Sequence, residues 1–158
     1  PEADRPLHAA TWWTDRVADH GDHPVVGPLL DAVAGAHDGP DRAWARWHGD
    51  WVPWNLARSR RGLVAWDWEY SEPGAPVGLD EVHGAYQQAR FQHHRPVADA
   101  FAAARRTAAD PWVADAQRVA LATRHALLHQ LAGEPGGDHH EVMAQAQARA
   151  STLRSGLR

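Results

Sequence analysis

Two carboxylates and one carboxamide lie close together in the middle of this chain. Asp50 follows His48 and Gly49, Asn55 comes five residues later, and Asp67 follows the next apolar run. Phosphoryl transfer to a hydroxyl needs such a set. One carboxylate accepts the hydroxyl proton, while an amide and a second carboxylate hold the Mg²⁺ that bridges the nucleotide phosphates. The spacing therefore predicts a catalytic loop for phosphoryl transfer.

The same residues are compatible with a polar hairpin in which the Asp and Asn side chains only satisfy turn backbone. Asn55 is the only asparagine in the chain, so its position after Asp50 does not come from a rich supply of that residue. A second aspartate after an apolar run makes a chance arrangement rarer still. We therefore prefer the catalytic interpretation over the purely structural one.

Short hydrophobic runs on both sides of the motif would position it. Residues 43–47 and 63–68 have the length and composition of brief strands. The polar stretch 58–62 would turn the chain before the second strand, and 71–78 reads as a Pro/Gly loop. Together these patterns predict a short β-hairpin that carries the polar residues at its ends.

Helical patterns occupy most of the remaining chain. Asp110 and Pro111 combine an N-cap acceptor with proline at the first helical position, and Gly133 would close that helix. Asp138 and Glu141 have the spacing of a capping box for a last helix that ends near residue 153. Apolar residues at helical spacing predict further helices at 7–18, 24–36, 79–92 and 97–107. The sequence thus predicts a mainly α fold with a short β-hairpin.

At the motif the sequence resembles the aminoglycoside phosphotransferase and choline kinase-like family, whose loop reads His-Gly-Asp-x-x-x-x-Asn. Pro53 stands where that family commonly has a proline. Residues 67–70, Asp-Trp-Glu-Tyr, are similar to the metal-binding segment of the choline kinase branch. The resemblance is clearest over residues 44–83. It implies the C-terminal (helical) lobe of a protein-kinase-like fold.

The resemblance also implies roles for individual residues. Asp50 would be the catalytic base, and Asn55 and Asp67 would bind Mg²⁺ and, through it, the co-substrate ATP. His48 would shape the loop, and Asp80 would accept hydrogen bonds from the loop backbone. A helix N-cap is an equally plausible role for Asp80, and both roles could coexist.

Glu69 belongs to the resembling metal-binding segment and would support the metal site. Acidic residues such as Glu69, Glu72 and Glu81 would favour a cationic amine as substrate, while the tryptophans would favour a sugar. The substrate classes therefore include a sugar, an aminoglycoside and an amino alcohol.

Nothing before residue 44 resembles the other half of a kinase, the N-terminal lobe whose lysine pairs with the phosphates. All 16 Lys+Arg residues of this chain are arginine, and the chain begins at Pro1. Arginine does not simply replace that lysine, because a planar fork meets phosphate differently. We expect one domain over residues 1–158, with leading helices at 1–43, catalytic and metal-binding loops at 44–80 and C-terminal helices at 81–158.

The missing N-terminal lobe of the same protein is the expected partner, and we expect the isolated chain to be inactive as a kinase. Helix surface that this lobe would cover could also form a homodimer. The alternative function is a non-catalytic ligand-binding or interaction module from a degenerate kinase. A parent protein with neither lysine nor phosphate loop would favour that alternative.

Composition narrows the remaining classes. The formal net charge is −4 with neutral histidines, so no basic surplus indicates a nucleic-acid partner. The chain has no cysteine, which suits a cytoplasmic protein. No apolar run approaches the roughly 20 residues of a membrane span. These features predict a cytoplasmic protein without nucleic-acid or membrane partners, whereas a small-molecule substrate is what the resemblance implies.

The chain has nine tryptophans and 12 histidines. Six of the tryptophans surround the motif: Trp44, Trp47, Trp51, Trp54, Trp66 and Trp68. Core packing is expected for Trp44, Trp47, Trp66 and Trp68 at alternating strand positions, whereas core packing and ligand stacking are both open for Trp51 and Trp54.

His125 and His129, at i and i+4, suggest a metal site, but a structural or solvent role is favoured because coordination needs more convergent ligands.

Overall fold

The computed structural model describes residues 4–39, 41–133 and 137–157. Helices predominate, and two small antiparallel sheets lie between the second and third of them, which confirms the prediction of a mainly α chain with a short hairpin. The helices are α1 (Thr11–His20), α2 (Val26–His37), α3 (Leu79–Gln87), α4 (Val97–Thr107), α5 (Pro111–Ala132) and α6 (His139–Gly156). The strands are β1 (Trp44–Trp47), β2 (Leu56–Ser59), β3 (Gly62–Ala65) and β4 (Glu72–Pro76).

The sheets differ from the predicted pairing. Strands β2 and β3 form the hairpin around the predicted polar turn, with Leu56 opposite Ala65 and Ser59 opposite Gly62. Strand β1 does not join this hairpin but pairs antiparallel with β4, which lies inside the predicted Pro/Gly loop. The prediction of a loop without a strand at 71–78 is therefore wrong. Its residues have low strand propensity, yet they supply partners for the backbone groups of β1.

Tryptophan burial differs between the β1–β4 sheet and the β2–β3 hairpin. Trp44 and Trp47 lie in β1 and are 0% and 4% exposed, as predicted. Trp66 and Trp68 follow the last residue of β3 and are 44% and 49% exposed, so their predicted core role is wrong. Strand β3 itself has three exposed residues and one half-buried residue, and β2 is similarly exposed, so the β2–β3 hairpin has no core-facing side on which these tryptophans could be buried.

Buried aromatic rings form the centre of the hydrophobic core. The ring of Trp112 in α5 lies 5.7 Å from that of Trp13 and 6.0 Å from that of Trp44, in tilted or edge-on contacts. The Trp44 indole nitrogen donates to the Arg5 carbonyl at 3.0 Å, so its polar edge is satisfied.

Helix α1 is shorter than predicted, since Leu7–Ala9 form a separate 3₁₀ turn.

The predicted capping residues of α5 are confirmed, whereas the predicted capping box of α6 is not. The Asp110 side chain accepts from the Trp112 amide at 2.9 Å, and Gly133 ends α5 in a left-handed conformation, so both predicted signals are confirmed. The predicted capping box at Asp138 is wrong, since its side chain makes no cap bond. Both its oxygens instead accept from Arg90, each at 2.7 Å. A bidentate charged pair is stronger than a single cap bond, which explains the exchange.

A cluster of charged and polar side chains around the buried Asp115 joins three helices. Asp115 in α5 accepts from Arg149 in α6 at 2.7 and 2.8 Å and from His37 in α2 at 2.8 Å. Burial would raise the pKa of Asp115, but the hydrogen bonds from His37 and Arg149 outweigh it and hold the pKa below its usual range.

Within the described residues, no helix combines the length and apolar character needed to cross a membrane.

Candidate functional site

The backbone of the predicted catalytic loop is anchored by one carboxylate. Asp80 accepts from the His48 amide at 2.9 and 3.0 Å and from the Gly49 amide at 3.3 Å, which is the contact that the resemblance implies. Asp80 lies in the first turn of α3, but Gly78 is the N-cap and no side chain caps the helix, so the N-cap alternative is wrong. Burial raises the pKa of Asp80, and the two backbone donors oppose that effect.

The imidazole of His48 connects the loop to the end of the hairpin. Its Nε2 lies 2.8 Å from the Trp66 carbonyl oxygen, and its Nδ1 lies 3.3 Å from the Asp50 amide nitrogen. A carbonyl can only accept and an amide can only donate, so Nε2 carries the proton and the ring is neutral in this arrangement. The ring is buried and packs 4.6 Å from the Trp68 ring. These contacts give His48 a structural part in shaping the loop.

Gly49 lets the loop approach the next segment closely. Its φ is +83°, and a Cβ there would lie 2.8 Å from the carbonyl carbon of Tyr70 and closer still to its oxygen. Only glycine combines this backbone conformation with such a contact at little cost. The middle residue of the His-Gly-Asp motif is therefore determined by packing against the chain that follows Asp67.

Asp50 and Asn55 are brought together by the loop and the 3₁₀ turn that follows it. The Asn55 Nδ2 donates to the Asp50 carboxylate Oδ2 at 2.9 Å and to the Asp50 carbonyl at 3.2 Å. Asn55 is 4% exposed, so its side chain is held firmly. Among the described residues, no donor reaches the Asp50 Oδ1 or the Asn55 Oδ1. Both oxygens remain available as acceptors.

Asp67 stands at the open end of the hairpin. The Trp66 amide donates to the Asn55 carbonyl at 3.1 Å, so Asp67 directly follows a residue that pairs with Asn55. Its φ of +64° is uncommon for a residue with a side chain, and such strain is often found at functional sites. The Asp67 carboxylate is exposed and accepts no hydrogen bond from the part of the chain that is described.

The oxygen atoms of Asn55 and Asp67 suit Mg²⁺ as ligands. Within the described residues, no N–H or O–H group bonds to the Asn55 amide oxygen or to the Asp67 carboxylate, so both are free to bind a metal. Mg²⁺ prefers such hard oxygen ligands and commonly takes one or two carboxylates together with substrate phosphates. Across residues 4–39, 41–133 and 137–157, no three His, Cys, Asp or Glu side chains are grouped so that they could hold a metal. A metal at Asn55 and Asp67 would therefore depend on nucleotide phosphates for further ligands.

A cavity of about 830 Å³ opens beside Asp50. Its walls come from α1, α5 and the β1–β4 sheet, and they include Trp12, Arg16, Trp47 and Glu72. Its size suits a small-molecule ligand. The loop thus presents the predicted base to a concave surface that the sequence alone did not indicate.

Arg124 of α5 is the residue in this cavity that sequence reasoning missed. Its Nη2 donates to the Gly49 carbonyl at 3.0 Å, and its guanidinium carbon lies 4.3 Å from the centre of the Tyr70 ring. Burial lowers the pKa of Arg124, although the Tyr70 hydroxyl and the Asp50 carboxylate act in the opposite direction. A helical arginine 75 residues from the motif carries no local signal of such a role.

The acidic residues considered for a cationic substrate lie in different environments. Glu72 lines the cavity but pairs with Arg16 at 2.8 Å, and the Arg16 guanidinium lies 3.8 Å from the centre of the Trp12 ring. Glu69 and Glu81 are exposed, and their side chains make no hydrogen bond within the described ranges. The geometry therefore adds no contact that would support Glu69 in a metal site.

Histidines from α5 and α6 also meet in space. The rings of His129 and His139 lie 4.7 Å apart, and those of His125 and His139 lie 6.1 Å apart. Burial is the main cause that lowers the pKa of His125 and of His139, which favours neutral rings. The i, i+4 spacing thus reflects packing between two helix ends.

Comparisons of this chain with protein-family models, with curated proteins and with solved structures find no match. The functional interpretation therefore depends on the residues of the site and their geometry.

Proposed function

We propose that this chain is the catalytic lobe of an ATP-dependent phosphotransferase that phosphorylates a hydroxyl of a small molecule. The observation that carries the proposal is the hydrogen bond of 2.9 Å between Asn55 and Asp50, in a loop that borders a cavity of about 830 Å³. That bond occupies one Asp50 oxygen and leaves the other for the substrate. The resemblance of the motif to the aminoglycoside phosphotransferase and choline kinase-like family supports the same conclusion.

In the proposed reaction, Asp50 Oδ1 accepts the proton of the substrate hydroxyl as that oxygen bonds to the γ-phosphorus of ATP. The bond from this phosphorus to the bridging oxygen of the β-phosphate breaks, and ADP leaves. Asn55 and Asp67 would hold Mg²⁺, which neutralises the phosphate charge when bound. Asp80 and His48 keep the loop in position, since both bind its backbone.

The chain supplies no lysine for the nucleotide phosphates. Because phosphoryl transfer depends mainly on positioning and electrostatics, we expect full activity to need the N-terminal lobe that kinases of this type use. Asn55 and Asp67 would form this chain's half of the nucleotide site, here called the half-site, and its binding of nucleotide can still be tested alone.

The first test is calorimetric titration of ATP into the chain with and without Mg²⁺, in the wild type and in Asp67→Ala. We expect Mg²⁺-dependent binding that is lost in Asp67→Ala. The matched control is Asp31→Ala, which removes an exposed aspartate of α2 whose side chain makes no hydrogen bond within the described ranges. Absence of Mg²⁺-dependent binding in the wild type would refute the half-site, and binding unaffected by Mg²⁺ or Asp67 would favour a non-catalytic module.

A further inference from the structure

The guanidinium of Arg124 lies in the cavity beside Asp50 without a carboxylate in direct contact, and Asp50, Glu72 and Glu69 act on it only from a distance. No described carboxylate oxygen lies within 4.0 Å of it, whereas Arg16 in the same cavity pairs with Glu72 at 2.8 Å. A partly buried charge is costly unless it is paired or well hydrogen-bonded. The Gly49 carbonyl and the Tyr70 ring satisfy only part of this cation.

The remaining donors of Arg124, which lines the cavity, are not sealed inside the protein. Within the described residues only Nη2 donates a hydrogen bond, and no nitrogen of Arg124 is among the buried polar atoms that lack a partner. The Nε atoms of Arg16 and Arg118, in contrast, are sealed from solvent without a partner. Arg124 therefore keeps free N–H groups that an entering ligand can reach. Burial lowers the pKa of Arg124, as expected for a charge with incomplete compensation.

The other charges of the cavity leave Arg124 as an anchor for an anion. Glu72 and Arg16 neutralise each other, and Asp15 and Asp19 also line the cavity but are exposed, so that water screens their charges. Asp50 is the remaining carboxylate among the described residues that line the cavity, and its proposed task is to accept a hydroxyl proton. A ligand that satisfies both groups carries a hydroxyl at one end and an oxyanion at the other.

We propose that Arg124 binds an oxyanion of the acceptor substrate, so that the acceptor is a hydroxylated small molecule with a carboxylate or phosphate group. This inference rests on the proposed function for the role of Asp50, but the anion site itself is independent of nucleotide. A planar guanidinium is well suited to bind carboxylate or phosphate through two N–H groups. The cation held by Gly49 and Tyr70 thus sets the substrate class.

The test compares sugars of similar size that differ in charge. Calorimetry without nucleotide measures the dissociation constants of D-glucuronate, D-glucose 6-phosphate, D-glucose and D-glucosamine. We expect at least one anionic sugar to bind roughly 10- to 100-fold more tightly than glucose, as expected for charge-assisted hydrogen bonds. The two anions separate a carboxylate acceptor from a phosphate acceptor. Equal or tighter binding of glucose or glucosamine, or no saturable binding of either anion, would overturn the inference.

Substitutions of two arginines test which of them causes the preference for an anionic sugar. Arg124→Gln should remove the preference for the anion. Arg118→Gln is the matched control, because Arg118 lies on the same helix, donates to a backbone carbonyl at 3.2 Å and stacks 4.0 Å from the Phe101 ring, outside the cavity. The anion preference should persist in this variant. Near-UV circular dichroism checks folding, and Arg124→Lys, which keeps the charge, should retain part of the preference.

Failure of this inference is distinguishable from failure of the proposed function. Asp67→Ala should lose Mg²⁺-dependent ATP binding and keep the anion preference, whereas Arg124→Gln should do the reverse. An anion preference that persists in Arg124→Gln would overturn the role of Arg124 whatever the result for ATP.

Discussion

Replacing Asp80 by Asn tests how the proposed catalytic loop is held. The carboxylate accepts from two backbone amides, those of His48 and Gly49, at 2.9 to 3.3 Å. Asn has nearly the same shape but offers one acceptor oxygen, and its NH₂ group would face a backbone N–H that now has a carboxylate oxygen. We expect the loop to loosen while the surrounding helices stay folded.

The expected magnitude follows from opposing effects at this carboxylate. The loss of one charge-assisted hydrogen bond costs about 1.5–3 kcal/mol. Burial raises the pKa of Asp80, which means that the charged form is disfavoured in the folded protein and that the neutral Asn escapes this cost. We therefore expect global stability to fall by only about 1 kcal/mol, while the local opening free energy of the loop falls by about 1.5–3 kcal/mol.

Amide hydrogen exchange measures the local effect directly. The His48 and Gly49 amides should exchange roughly 10- to 100-fold faster in Asp80→Asn, which is the ratio that this loss of free energy implies. Asp110→Asn is the control, since it makes the same chemical change at a cap of α5, where the Trp112 amide donates at 2.9 Å. Unchanged exchange at His48 and Gly49 would refute the anchoring role of Asp80.

Other substitutions test the packing that supports the site, each by urea unfolding. Gly49→Ala should destabilise the protein more than Gly62→Ala does, because both glycines have positive φ but only Gly49 faces a close backbone neighbour; equal effects would remove the packing argument. Arg149→Gln should cost about 3 kcal/mol, because it leaves the buried Asp115 carboxylate underpaired, and a loss below about 1 kcal/mol would mean that the pair behaves as a surface ion pair. Burial, with the Arg124 charge, lowers the pKa of His83 to about 3. Below pH 6.5 the unfolded chain binds a proton at this histidine while the folded protein keeps it neutral. The folded state is therefore at its full stability above pH 6.5 and loses stability as the pH falls from 6.5 towards 3. Between pH 7 and pH 5 the wild type should lose about 2 kcal/mol more than His83→Gln, and parallel pH profiles would contradict this.

Sequence signals succeeded where the chemistry is local. The start of α5 at Asp110 and Pro111 and its end at Gly133 depend on hydrogen bonds within one helical turn. The start of α4 likewise follows from the proline before Val97. These elements could be predicted because the residues that form each contact are close in sequence.

The errors arose where a distant partner decided the outcome. Strand β4 exists because β1 needs a neighbour, although its Glu-Pro-Gly-Ala-Pro sequence favours a loop. Asp138 has the spacing of a capping residue, but Arg90, 48 residues away, offers it a stronger interaction. Pattern reasoning within a window contains neither partner.

The sequence by itself determined the polar residues of the loop and their order, because the spacing of Asp50, Asn55 and Asp67 is a property of the chain. It also determined most helix bounds, since caps and apolar periodicity are local. Only the tertiary structure decided what faces Asp50. Packing of α1 and α5 against the β1–β4 sheet forms the cavity and brings Arg124 to the Gly49 carbonyl. Contacts between groups 75 residues apart depend on how whole elements pack, and no local pattern specifies that arrangement.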